Sequence, residues 1–163
     1  MLAFFFFAFF CRFCGALLSY TVQKRVLESR QKGAMPMHVY YNPNPIHKRV
    51  GDCTVRALSK VLDKKWEETF IGLCVQALMM CDMPNADSVW SQYLKDLGWK
   101  RRVVPSECDG CYTVEDFCRD HPKGMFLLAL DSHVIAVKDG DYYDTWDSGD
   151  ETPIYYYERE DLS

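Results

Sequence analysis

Three side chains of types that together do covalent chemistry stand out: Cys53, His133 and Asp144. Cys53 lies in the run Gly51-Asp52-Cys53-Thr54-Val55-Arg56-Ala57-Leu58, after which Val55, Leu58, Val61 and Leu62 recur at helical spacing. Asp52 is of the type that caps a helix start, so the thiol is expected in the first turn of a helix with one buried face. The unpaired N–H groups and the dipole at that end favour the thiolate, the form of cysteine that attacks carbon. A free cysteine also serves as a small buried hydrophobe, and that reading competes with the first.

The histidine and the acid come from one hairpin. Asp139-Gly140 stands between two alternating, β-rich runs in Ser132 to Trp146, the strongest short signal for a two-residue turn. Such a turn sets Lys138 opposite Asp141, Val137 opposite Tyr142, Ile135 opposite Asp144 and His133 opposite Trp146. His133 and Asp144 become diagonal neighbours, roughly 7–8 Å apart at the backbone, within reach of an imidazole and a carboxylate turned toward each other. Asp147 falls on the opposite face. A one-residue change in loop length reverses the two faces, which makes Asp147 the alternative orienting acid.

A thiol, an imidazole and a carboxylate in this order can act as nucleophile, base and orienting group. Order and spacing resemble the papain-like cysteine peptidase superfamily, above all its compact bacterial and phage branches. Tyr40-Tyr41-Asn42-Pro43-Asn44-Pro45, Gly51-Asp52-Cys53 and Tyr143-Asp144-Thr145-Trp146-Asp147 also resemble small uncharacterised proteins of gut bacteria and their phages. The resemblance covers about 40–147 and implies Cys53 as nucleophile, His133 as base and Asp144 as orienter. It is incomplete at the oxyanion hole. Papain-like enzymes commonly carry a glutamine about six residues before the nucleophile, where this chain has His47. The Cys53 amide supplies one donor, and Asn44, His47 and Asn42 are candidates for the second, Asn44 first because its amide donates at any protonation state. Loss of one such donor costs about 3 kcal/mol of transition-state stabilisation.

Three functions are compatible with these residues: a thiol-dependent peptidase or amidase, a catalytically inactive papain-like module binding a partner in the same cleft, and a transglutaminase-like acyl transferase. The expected partner is a peptide or protein. The net charge of −4 lends nucleic-acid binding no support, and Lys100-Arg101-Arg102 reads as a solvated strand end. No glycine-rich phosphate loop or His-Glu-x-x-His pair is present, so no cofactor is expected. Nor is a metal, although Cys108, Cys111, Cys118 and His121 form an alternative zinc-ligand set. Asp131, Asp139, Asp141, Asp147 and Asp150 lack the spacing of a calcium loop and read as a solvated rim.

The elements that must position the site follow from pattern. A short strand is expected over 38–41, an irregular segment held by Pro43 and Pro45, and the Cys53 helix ending near Asp63. A helix from Trp66 to Met80 is expected to bury Phe70, Leu73, Cys74, Ala77 and Leu78. The next, from Ala86 to Leu97, should bury Val89, Trp90, Tyr93, Leu94 and Leu97, with Trp90 in the core or walling the cleft. Val103-Val104 reads as a strand, and Thr113 with Asp116 as the cap of a helix through Arg119. Strands from Met125 to Leu130, through the hairpin, and from Pro153 to Glu158 complete an α+β domain of papain-like type, N-terminal helices on an antiparallel sheet, over 35–163.

Residues 1–34 form an apolar leader outside that core. Its apolar run, 1–20, is interrupted by Arg12, while Lys24, Arg25, Arg30 and Lys32 follow it. It reads as an upstream extension of the reading frame, or as a membrane anchor with the domain on the cytoplasmic side. Eight cysteines without a secretory signal fit a cytoplasmic protein better than a disulfide scaffold.

Overall fold

The computed structural model describes residues 35–104 and 112–159. Contacts divide the chain between Met35 and Pro36, and the description concerns the second unit, Pro36–Ser163. The leader lies outside the described residues. Among those described, no helix is long and apolar enough to cross a membrane.

The fold is mixed α+β, with helices packed against a six-stranded sheet. In chain order the elements are β1 (His38–Tyr40), α1 (Cys53–Val61), α2 (Trp66–Met80), α3 (Asp87–Asp96), β2 (Trp99–Val103), α4 (Val114–Asp120), β3 (Met125–Ala129), β4 (Val134–Lys138), β5 (Asp141–Asp144) and β6 (Tyr155–Arg159). The strands run in the order β1-β5-β4-β3-β6-β2. All neighbours are antiparallel except β1 and β5, which are parallel and depart from the all-antiparallel expectation.

Period-two alternation divides the sheet between two cores. Leu127, Ala129, Val134, Ala136 and Tyr157 pack with Val55, Leu58 and Val61 of α1, Leu73 of α2, and Trp90 and Leu94 of α3. Phe126, Leu128, Ile135, Val137 and Tyr142 turn the other way, onto Val114, Phe117 and Cys118 of α4. Helices therefore cover both faces, the N-terminal ones on one side and α4 on the other. The hairpin forms in the expected register, Val137 opposite Tyr142 and Lys138 opposite Asp141. Asp139 (φ 52°) and Gly140 (φ 83°) both occupy the left-handed region that this turn requires.

Three expectations need correction. Asp52 precedes α1 but makes no side-chain capping bond; its carboxylate is taken by Arg56 and by the Trp66 indole. In α2 only Thr69, Leu73 and Ala77 are buried, while Phe70 and Leu78 face solvent; Leu97 is likewise exposed after α3. The strand expected at Val103-Val104 starts earlier, at Trp99, and ends at Val103, because Arg101, Arg102 and Val103 pair with Tyr157, Tyr156 and Tyr155 of β6 and Trp99 and Lys100 continue the ladder to Arg159 and Glu158. Its basic residues are engaged: Arg101 lies over the Tyr155 ring at 3.8 Å and Arg102 bonds Glu158 at 2.8 Å.

The capping arrangement at α4 is present in both directions. The Thr113 hydroxyl accepts from the Asp116 N–H at 3.2 Å, and the Asp116 carboxylate accepts from the Thr113 N–H at 2.9 Å. Thr113→Ala is expected to lower stability by about 1 kcal/mol, read as a shift of the urea midpoint at unchanged slope. A change in slope would instead mean that α4 melts separately.

Candidate functional site

Cys53 is the first residue of α1 and is partly exposed. His133 follows a tight turn closed by the Leu130 N–H donating to the His133 carbonyl at 2.8 Å, with Ser132 at φ 53°. Asp144 ends β5 and is 3 % exposed. The structure brings the three together. His133 Nε2 lies 2.6 Å from Asp144 Oδ2 and donates to it, since an ionised carboxylate only accepts. This leaves Nδ1 for the side of Cys53, with which the ring is also hydrogen-bonded.

The route to this contact differs from strict alternation. Ile135, whose face His133 and Asp144 should share, packs toward α4. His133 precedes the first paired residue of β4 and Asp144 is the last of β5, so neither is bound by the pleat on both sides. Both reach instead toward the start of α1, where the thiol is.

Electrostatics favour the charged pair. Burial of the Cys53 thiol works against the thiolate. It is outweighed by the hydrogen bond and positive charge of His133, a hydrogen bond from the Val134 amide and one from the Thr54 hydroxyl, so the thiol titrates below its ordinary range. Burial of His133 favours the neutral ring, but hydrogen bonds to Asp144 and Cys53, then the charges of both, push its pKa up to about 9. Both shifts favour the thiolate–imidazolium pair over the neutral thiol and imidazole.

Behind Asp144 stands a group that pattern reading missed. Arg56, 9 % exposed, pairs with Asp52 and brings a second guanidinium nitrogen to 3.9 Å from Asp144 Oδ1. The Thr145 N–H donates to the same Oδ1 at 2.7 Å, and the Trp66 indole donates to Asp52 Oδ2 at 2.9 Å. The signal for Arg56 was its i,i+4 spacing from Asp52 on one helix face.

A cavity of about 220 Å³ opens beside the thiol and is lined by Cys53, His133, Ser132, Asn85, Asp87 and Trp90, among others. Trp90 is both core and cleft wall, its indole N–H donating to Asp87 Oδ1 at 3.0 Å. The three oxyanion candidates do not line it. Asn44 Oδ1 accepts from the Ile46 and Lys48 amides, Asn42 Oδ1 accepts from the Asn44 N–H, and His47 is exposed at φ 52°. These residues build the turn that leads into α1. Asn85 is the side-chain amide in the cavity, and nothing in its local sequence distinguished it from a loop residue.

Asp147 is occupied elsewhere, accepting from the Tyr142 hydroxyl at 2.5 Å and the Gly149 N–H at 3.2 Å. Of the alternative zinc set, Cys108 and Cys111 lie outside the described residues. Cys118 is buried and pushed up to about 12, first by desolvation and then by nearby acids. His121 stacks on Phe117 with ring centroids 4.0 Å apart and turns Nδ1 to the Phe117 carbonyl at 2.9 Å. Among the described residues, no group of three or more His, Cys, Asp or Glu side chains is arranged to hold a metal ion.

Comparison of the chain with family models, with curated proteins and with solved structures returns no match in any of the three.

Proposed function

We propose that the domain is a thiol-dependent hydrolase of papain-like type, a peptidase or amidase with Cys53 as nucleophile, His133 as proton carrier and Asp144 as orienter. The observation that carries the reading is the His133–Asp144 hydrogen bond at 2.6 Å, with Cys53 interacting with the same ring and both Cys53 and His133 lining one cavity. In the reaction the thiolate attacks the carbonyl carbon of a peptide or amide, and the developing oxyanion takes a hydrogen bond from the Cys53 N–H. The His133 imidazolium then gives its proton to the departing amine, leaving a thioester on Cys53. Water, losing a proton to the now neutral His133, hydrolyses the thioester, releases the acid and restores the ion pair. Asp144 keeps Nε2 protonated throughout and holds the ring in place. The proposed setting is the cytoplasm, in keeping with the free thiols Cys53, Cys74, Cys81 and Cys118.

A second reading, a binding module that uses the same cleft without turnover, is favoured by the absence of Asn42, Asn44 and His47 from the cavity lining. Incubation with peptide pools, with and without a small primary amine, followed by mass spectrometry separates the outcomes. New carboxyl ends that vanish in Cys53→Ala support hydrolysis, and amine adducts indicate acyl transfer. A reactive Cys53 with no product in either arm leaves the binding module.

A further inference from the structure

We propose that Arg56, fixed by Asp52, is a positioning residue that holds the Asp144 carboxylate with Oδ2 toward His133; this rests on the thiol-imidazole reading above. Asp144 has two oxygens with different tasks. Oδ2 accepts from His133 at 2.6 Å, and Oδ1 is engaged from behind by the Thr145 N–H at 2.7 Å and the Arg56 guanidinium at 3.9 Å. A carboxylate held by one amide alone can turn about its Cα–Cβ and Cβ–Cγ bonds. The planar guanidinium fork bonds Asp52 through one nitrogen and presents the other to Oδ1 at ion-pair distance, opposing that rotation from a fixed position that a flexible ammonium does not hold.

The fork is itself anchored. One nitrogen of Arg56 bonds Asp52 and the Val50 carbonyl, and Asp52 is held through its other oxygen by Trp66. Trp66 belongs to α2, so two helices brace a side chain that ends at the strand-borne pair. Read outward from the thiol, the charges alternate: Cys53 negative, His133 positive, Asp144 negative, Arg56 positive, Asp52 negative. Burying a guanidinium and two carboxylates at the start of α1 is costly unless each is paired. The residues are 9 %, 3 % and 7 % exposed for Arg56, Asp144 and Asp52. A helix that needed only to pack on the sheet has no use for this set; an imidazole that must keep one orientation has.

The other charged or titratable groups facing the pair are His38 of β1, whose Nε2 lies 3.2 Å from the Asp144 carbonyl oxygen, and Asp87 of α3 in the cavity wall. Neither bonds the Asp144 carboxylate: His38 meets its main-chain carbonyl and Asp87 accepts from Trp90. Among the described residues, Arg56 and His133 are the cations that pair with it.

The test is the pH profile of Cys53 alkylation by iodoacetamide on the full chain, read site by site. The informative variant is the double substitution Asp52→Asn with Arg56→Met. It removes one charge of each sign, leaves the Trp66 indole an amide oxygen, and strands no buried ion. Labelling at pH 6 is expected to fall about threefold, less than in Asp144→Asn, as the acid limb moves up by about half a unit. In an Asp144→Asn background the same double substitution is expected to change nothing further, because Arg56 acts through Asp144. Arg56→Lys, which keeps the charge without the fork, should fall between wild type and the double variant and covers the case in which that variant fails to fold. A folded double variant with the wild-type profile, or an equal loss in the Asp144→Asn background, overturns the proposal. If the wild type itself titrates as an ordinary thiol and ignores His133→Ala, the reading beneath it fails instead.

Discussion

His133→Ala is expected to slow alkylation of Cys53 at pH 6 by at least about tenfold and to move its acid limb up toward the ordinary thiol value near 8.5. The hydrogen bond and positive charge of the ring are the largest influences lowering the Cys53 pKa, and both vanish in the variant while thiol burial, which raises it, remains. The thiolate fraction at pH 6 falls by more than the rate, because a more basic thiolate is a better nucleophile and recovers part of the loss. Asp144→Asn should act in the same direction and less strongly, and Asp147→Asn should leave the profile unchanged, since Asp147 serves Tyr142 and Gly149. Cys118, held near 12 by burial, should remain unlabelled in all of them. The sign of the basic limb is opposite. Turnover needs protonated His133 for the leaving group, so it should fall as pH rises through about 9. A Cys53 profile indifferent to His133 removes the hydrolase from consideration.

The second large effect is on stability. Leu127→Ala is expected to destabilise the domain by about 3 to 4 kcal/mol, a large part of the roughly 5–15 kcal/mol that holds a domain together. Leu127 is 0 % exposed at the middle of β3, paired with Ala136 of β4 and Tyr157 of β6. Ala136 is too small to close the void, and the strands on both sides fix the backbone. Leu78→Ala should cost under about 0.5 kcal/mol, because Leu78 is 79 % exposed. Urea unfolding of the two variants measures the contrast; comparable losses would mean that α2 buries its outer side against something in solution.

That contrast marks where the chain is legible. The hairpin is written in two residues, Asp139-Gly140, whose joint preference for positive φ selects one turn and therefore one register. Helix α1 is written in its spacing, because Val55, Leu58 and Val61 recur among polar residues and mark the side that meets the sheet, although the expectation of one buried face falls short: Thr54, Arg56 and Ser59 are buried as well. Helix α2 fails this criterion. It is apolar nearly all round, so periodicity defines its extent, Trp66 to Met80, but not its buried side, and Phe70 and Leu78 were assigned to the wrong one. Lys100-Arg101-Arg102, read as a solvated strand end, is indeed exposed within β2; what the sequence did not show is the extent of the strand, because it is set by pairing with the tyrosines and glutamate of β6, more than fifty positions away. At the site, the thiol, the ring and the acid were legible through helix start and turn. Asn85 was not, since which loop walls a cleft depends on how helices pack.

The strand order carries a further consequence. Between β3 and β2 lies β6, the last strand, so β2 has no neighbour in the sheet until the strand made after all others slots in beside it. Cys53 is synthesised early, and His133 and Val134, which supply the largest influences lowering its pKa, are made much later. A partly synthesised chain therefore carries a thiol without its imidazole. Under the proposed function, reactivity is expected to arrive with assembly of the sheet, so that alkylation of Cys53 at mildly acidic pH reads out completion of folding.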